Sequence, residues 1–174
     1  QFGLAETFPH PGLQLSVANL IEVMITESDN TATDVSMGLA GGAAAVTENL
    51  RRLGITDFRV DRLTGEILRD VFDLPGKATL EVVTEAYKTR PELLTIQADA
   101  NPAFEADPRD HATPLAMLQL LLAIDSGTAM SAESREFLLG VMSRTRTGDG
   151  RIKGLLPKGT PVAHKTGTTG GVAN

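Results

Sequence analysis

No cysteine occurs among the 174 residues of this chain, which removes disulfides, thiolate metal sites and cysteine nucleophiles from consideration. Aromatic residues are scarce at 4%, and the net charge is −6. A nucleic-acid backbone would therefore find neither a basic stripe nor a stacking platform. No apolar run approaches the roughly 20 residues that cross a bilayer, and Gln1-Phe2-Gly3 begins neither a signal peptide nor a membrane helix. His10, His111 and His164 are scattered without metal-ligand spacing. They read as surface or packing residues, and no metal or cofactor is expected. What remains is 41% hydrophobic and 22% charged, an ordinary composition for one globular core without repeats or low-complexity segments.

The apolar spacing is mainly helical. Ser16 can cap a helix in which Val17, Leu20, Ile21 and Met24 share one face, with Ser28 at its C-terminal turn. A second helix is expected from about Thr31 to Leu39, broken by Gly41-Gly42, and a third aligns Val46, Leu50 and Leu53 before Gly54. Thr113 and Pro114 open a very apolar helix, Leu115 to Ile124, closed by Gly127. Ser131 begins another that buries Phe137, Leu138, Val141 and Met142. After Pro157 and Gly159 the pattern turns extended, and Val162 to Thr168 reads as a strand.

Two tripeptides carry the chemistry: Ser28-Asp29-Asn30, and Lys165-Thr166-Gly167 followed by Thr168. Acyl transfer to serine needs a hydroxyl that passes a proton to the leaving nitrogen, a cation for an anionic substrate, and a backbone N–H aimed at the oxyanion. Ser28, Lys165 and Thr168 can supply these. A lone Ser-Asp-Asn more often just caps a helix, so the pairing matters more than either part. Gly159 to Thr166 is also one residue short of a phosphate-binding loop, but His164 stands where its second glycine belongs. Gly167 onward would start a helix poorly.

The stretch GLQLSVANLIEVMITESDNTATD (12–34) and VAHKTG (162–167) resembles the class A β-lactamases and their penicillin-recognising serine hydrolase relatives, whose S-x-x-K, S-D-N and K-T-G set is a known signature. Asp61-Arg62 and Arg109-Asp110 through Pro114 resemble the two ends of that family's omega loop. The resemblance implies an α/β, β-lactamase-like (DD-peptidase-like) fold. Here it would comprise a mostly helical domain over 1–160, with a long omega-like loop at 62–110, and the K-T-G strand of the α/β domain over 161–174. It implies that Ser28 relays a proton, Asp29 holds its loop, Asn30 contacts a substrate amide, and Lys165 and Thr166 take the substrate carboxylate. Gly167 would let the strand approach the acyl group, and Thr168 would offer its N–H to the oxyanion. Arg151 is either a second cation for the carboxylate, as in some class A branches, or a solvated surface residue. Arg62 and Asp110 would close the loop as a bidentate ion pair.

Two departures stand out. No serine is followed three residues later by lysine, so the resemblance places the nucleophile outside the chain and makes these residues an internal piece whose missing N- and C-terminal parts complete the enzyme. Thr64 occupies the position of the family's deacylating glutamate, and Glu66, two residues on, is the substitute candidate. The loop is longer than the family's by roughly thirty residues, beyond what a structureless loop sustains. Leu80, Val83 and Tyr87 suggest a helix ended at Arg90-Pro91, followed by a short one to Ile96, with turns at Asn101-Pro102 and Asp107-Pro108. The expected function is β-lactam hydrolysis through an acyl-enzyme in a periplasmic or secreted bacterial protein, its export signal upstream. The rivals are a penicillin-binding or esterase-like protein with slow deacylation, and a non-catalytic binding protein on the same fold.

Overall fold

A computed structural model of the protein describes residues 3–77, 79–94, 102–169 and 172–173. Helix α1 (Gly3–Thr7) precedes a pair, α2 (Val17–Thr26) and α3 (Asn30–Leu39), that packs closely together. Ser16 accepts the amide of Asn19 and fixes where α2 starts. Only the inner part of its expected apolar stripe is covered, for Leu20 is buried and Val17 is 57% exposed. Gly41 and Gly42, both at positive φ, end α3 and lead into α4 (Ala43–Arg52).

The segment between Arg62 and Asp110 folds on itself. Helix α5 (Thr64–Val71), unforeseen in the sequence reading, is followed by α6 (Leu80–Thr89), a 3-10 turn at Pro91–Leu94, and α7 (Pro102–Glu105). Leu74, Val83 and Leu93 form its own small core, against which Leu68, Phe72, Ala86 and Tyr87 pack. The expected continuation to Ile96 and the turn at Asn101 lie outside the described residues. Helix α8 (Pro114–Asp125), capped by Thr113, sets Ala116 against Leu50 and Ile55. Helix α9 (Ala132–Ser143), capped by Ser131, buries Val141 and Met142 and packs on α2. Phe137, expected inside, is 38% exposed.

The expected strand from Val162 is shorter than its sequence suggests. Pairing is confined to β1 (Thr168–Thr169) and β2 (Val172–Ala173), antiparallel with Thr168 opposite Ala173. Residues 161–167 form no ladder among the described residues, since a strand needs a partner that the local sequence cannot provide. A side-chain and a backbone hydrogen bond hold this segment instead: Thr145 Oγ1 donates to the His164 carbonyl at 2.7 Å, and the His164 amide donates to the Met142 carbonyl at 3.3 Å.

Candidate functional site

Ser28 lies in the three-residue link between α2 and α3 with φ +56°, a left-handed conformation that a non-glycine residue adopts at a cost. Asp29 maintains it. Fully buried, its carboxylate accepts the amide of Ala32 at 2.7 Å and that of Leu4 at 2.9 Å. The cap thus fixes the start of α3 and ties α1 to the same point. Asp29 is structural, as its place in the motif implied, and Asn30 opens α3 beside it.

Lys165 reaches this corner from 137 residues further along the chain, its Nζ 2.7 Å from Ser28 Oγ and 2.6 Å from the Thr166 carbonyl. The residue as a whole is exposed, yet packing around its ammonium removes enough water to hold its pKa below the ordinary lysine value. Thr166 Oγ1 meets Thr147 Oγ1 at 2.5 Å. A Cβ on Gly148 would come within 2.5 Å of Thr166 Cγ2, so glycine is what admits Thr166 there. Arg151 is not merely solvated. Its guanidinium donates to the Gly167 carbonyl at 2.9 Å and to Thr168 Oγ1 at 2.6 Å, bracing the segment after Lys165. Ser28, Lys165, Thr166, Gly167, Thr168 and Arg151 therefore form one connected set.

Thr64 and Glu66 belong to the first turn of α5. Asp34, one helical turn beyond Asn30 on α3, accepts the Thr64 amide at 2.7 Å and the Gly65 amide at 3.2 Å. Glu66 Oε2 accepts the Leu63 amide at 2.8 Å. Two carboxylates thus satisfy the open amides at the start of α5, where the helix dipole favours negative charge. Asp34 was not singled out from sequence, although its i+4 spacing from Asn30 was a readable signal. Thr147 and Gly148 had no such signal.

The segment between Arg62 and Asp110 is closed by more than one pair. Asp110, at φ +55°, accepts the amides of Asp61 and Arg62 through Oδ1 and Arg62 Nε through Oδ2 at 2.5 Å. The anticipated bidentate Arg62–Asp110 fork does not form, because Arg62 Nη1 turns to Asp70 at 2.8 Å and Asp107 at 3.3 Å. Arg62 is 3% exposed and lies over the Phe104 ring, 5.1 Å from its centroid. Arg59, Arg69 and Arg109 add ion pairs to Asp61, Asp70 and Asp107. Burial raises the Asp70 carboxyl, but hydrogen bonds from Arg69 and Arg62 outweigh it and leave its pKa lowered. Arg109, through side-chain and backbone hydrogen bonds, holds Asp107 far below the usual carboxylate range.

His164 sends Nε2 to the Thr147 carbonyl at 3.1 Å, a packing role as expected; among the described residues no cluster of potential metal ligands occurs. An apolar groove of about 710 Å³, lined by Leu4, Phe8, Leu13, Leu20, Val35 and Leu39 among others, includes neither Ser28 nor Lys165.

Comparison with known proteins gives a consistent result. A family model described as the beta-lactamase enzyme family matches residues 5–174. Beta-lactamase VEB-1 of Pseudomonas aeruginosa is 30% identical over 96% of this chain and 45% of its own length. The carbapenem-hydrolyzing beta-lactamase KPC of Klebsiella oxytoca is 28% identical over 92% of this chain and 44% of its own. Among solved structures, a mutant of the last common ancestor of Gram-negative bacteria beta-lactamase class A superposes with a TM-score of 0.68 at 34% identity. That match covers 94% of this chain and 50% of the other. The chain thus spans about half the length of the relatives it matches.

Proposed function

The chain belongs to the beta-lactamase enzyme family, and from that premise we propose that it supplies the proton-relay and substrate-holding part of an acyl-enzyme β-lactam hydrolase. The observation that carries this reading is the 2.7 Å contact between Ser28 Oγ and Lys165 Nζ. When a serine outside this chain attacks the lactam carbonyl, the C–N bond can break only if the departing nitrogen gains a proton. Ser28 donates it, and the neighbouring ammonium of Lys165 makes its hydroxyl a better acid. Lys165 and Thr166 hold the lactam carboxylate, with Arg151 as the second cation behind them. Asn30 binds the side-chain amide, Gly167 allows close approach, and the Thr168 N–H faces the oxyanion.

Release of the acyl group requires a base for water. Thr64 cannot accept a proton near neutral pH, and Glu66 sits in the same helical turn with Oε2 bound to an amide. We assign water activation to its other oxygen. The reading extends to a periplasmic or secreted location for the complete enzyme; among the described residues no helix is long and apolar enough to cross a membrane.

The test is turnover of a chromogenic cephalosporin by the complete protein. Steady hydrolysis that falls on Ser28→Ala supports the assignment. A stoichiometric burst without turnover would make this a slow-releasing penicillin-binding or esterase-like protein, and no acylation at all would reduce it to a binding protein.

A further inference from the structure

His164 meets the end of α9 and the loop that leaves it at three points. Its amide donates to the Met142 carbonyl, its carbonyl accepts from Thr145 Oγ1, and its ring Nε2 lies 3.1 Å from the Thr147 carbonyl. A carbonyl can only accept, so Nε2 carries the hydrogen. The other ring nitrogen, Nδ1, is buried and meets no partner among the described residues, which leaves the Thr147 carbonyl as the ring's hydrogen-bonding anchor. The first two contacts use backbone atoms of His164 and persist whatever side chain stands there. Only the third depends on the ring. Thr147 in turn faces Thr166, Oγ1 to Oγ1 at 2.5 Å, while Thr166 Cγ2 fills the space beside Gly148 in which a Cβ would come within 2.5 Å of it. Both branches of Thr166 are thus seated. Each hydroxyl has one hydrogen to give. If Thr166 gave its own to Thr147, it would turn only lone pairs toward an anion; if Thr147 gives, Thr166 keeps a hydrogen for it.

We propose that His164 is a positioning residue for Thr166: its Nε2–H fixes the Thr147 peptide, Thr147 donates its hydroxyl to Thr166, and Thr166 keeps its own hydrogen for the substrate carboxylate. The carboxylate rests on the β-lactam reading above, whereas the order His164, Thr147, Thr166 rests on the contacts alone. Lys165 attracts an anion by charge without regard to direction. The relay adds direction, because a hydroxyl whose lone pair is occupied by Thr147 points its hydrogen elsewhere. A hydrogen bond to a carboxylate is about twice as strong as one to an uncharged carbonyl, so the relay favours a free acid over its ester. Loss of the relay is expected to lower that preference roughly three- to tenfold.

The experiment measures kcat/KM of the complete protein for a chromogenic cephalosporin as the free acid and as its methyl ester. Damage that merely loosens the fold lowers both values alike, so their ratio reads the carboxylate contact. His164→Leu removes the donor, and Thr147→Val removes the hydroxyl at nearly constant shape. Each is expected to lower the acid-over-ester ratio by the stated factor, and the double variant no further than either alone, since both break one chain of contacts. His164→Gln, whose amide reaches the same carbonyl, restores the ratio. A ratio unchanged in either single variant, or lowered as much by His164→Gln as by His164→Leu, overturns the proposal. The nitrogen NMR spectrum of the histidine rings, with the His164 signal identified by its absence from His164→Gln, is expected to show hydrogen on Nε2, and hydrogen on Nδ1 alone overturns the proposal without any kinetics. Wild type that treats acid and ester alike also overturns it. Wild type that acts on neither compound overturns the β-lactam reading instead, and the ring spectrum then upholds or overturns the His164–Thr147 link by itself.

Discussion

Removing Arg62 measures how much the ion-pair clasp at the neck of the 62–110 segment holds. Its guanidinium is buried, bonds Asp110, Asp70 and Asp107, and covers Phe104. Deleting one member of a buried charge network costs roughly 3–5 kcal/mol, since the partners keep their charge without compensation. Here Asp70 and Asp107 retain Arg69 and Arg109, so Asp110 alone is stranded, with two backbone amides still in place. That puts Arg62→Ala at the lower end, about 3 kcal/mol. At 2–4 °C per kcal/mol for a chain of this size, the melting temperature falls by roughly 6–12 °C. Arg62→Lys keeps the charge but cannot serve Nε and Nη1 partners together, and loses about 1.5 kcal/mol, the value of one charged hydrogen bond. Thermal denaturation followed by circular dichroism at neutral pH reads both. A shift under about 2 °C for Arg62→Ala would refute the view that the clasp is a stabilising unit.

The same clasp sets an acid limit: Asp61, held down first by its hydrogen bond from Arg59, and Asp70 and Asp107 all have lowered pKa values in the fold. Their contribution is complete above about pH 5 and is lost as pH falls below the unfolded value of about 3.9; a melting curve that does not steepen downward there contradicts this. Gly148→Ala forces a Cβ to within 2.5 Å of Thr166 Cγ2 at a positive φ, so the complete enzyme should lose substrate affinity more than fold stability. KM and the melting temperature, measured together, decide it. For acylation of the complete enzyme's own nucleophile, Lys165→Ala should cost about tenfold to a hundredfold, or roughly 1.5–3 kcal/mol, and Lys165→Arg much less; equal losses contradict the carboxylate role. Glu66→Gln should leave acylation intact and slow release by about 10²–10⁴-fold, visible as a persistent mass adduct, and wild-type release rates would move the base elsewhere.

Features that depend on short stretches of chain were legible in the residues alone. Helix starts at Ser16, Thr113 and Ser131 were legible because a capping side chain satisfies amides only three residues away. The breaks at Gly41-Gly42 and Gly127 were legible because positive φ favours glycine. The membership of Ser28 and Lys165 in one site was legible only through motif resemblance, since nothing local connects residues 137 apart. Tertiary structure decided the rest. Thr64 and Gly65 are inconspicuous in sequence until α3 brings Asp34 to their amides. Arg62 divides its hydrogen bonds among three aspartates because folding of the 62–110 segment returns Asp70 and Asp107 to the neck, whereas a reading by pairs could foresee only Asp110. Residues 161–167 have strand-like composition, but a ladder requires backbone groups from another segment, and in this structure side chains of the loop after α9 hold part of that stretch instead.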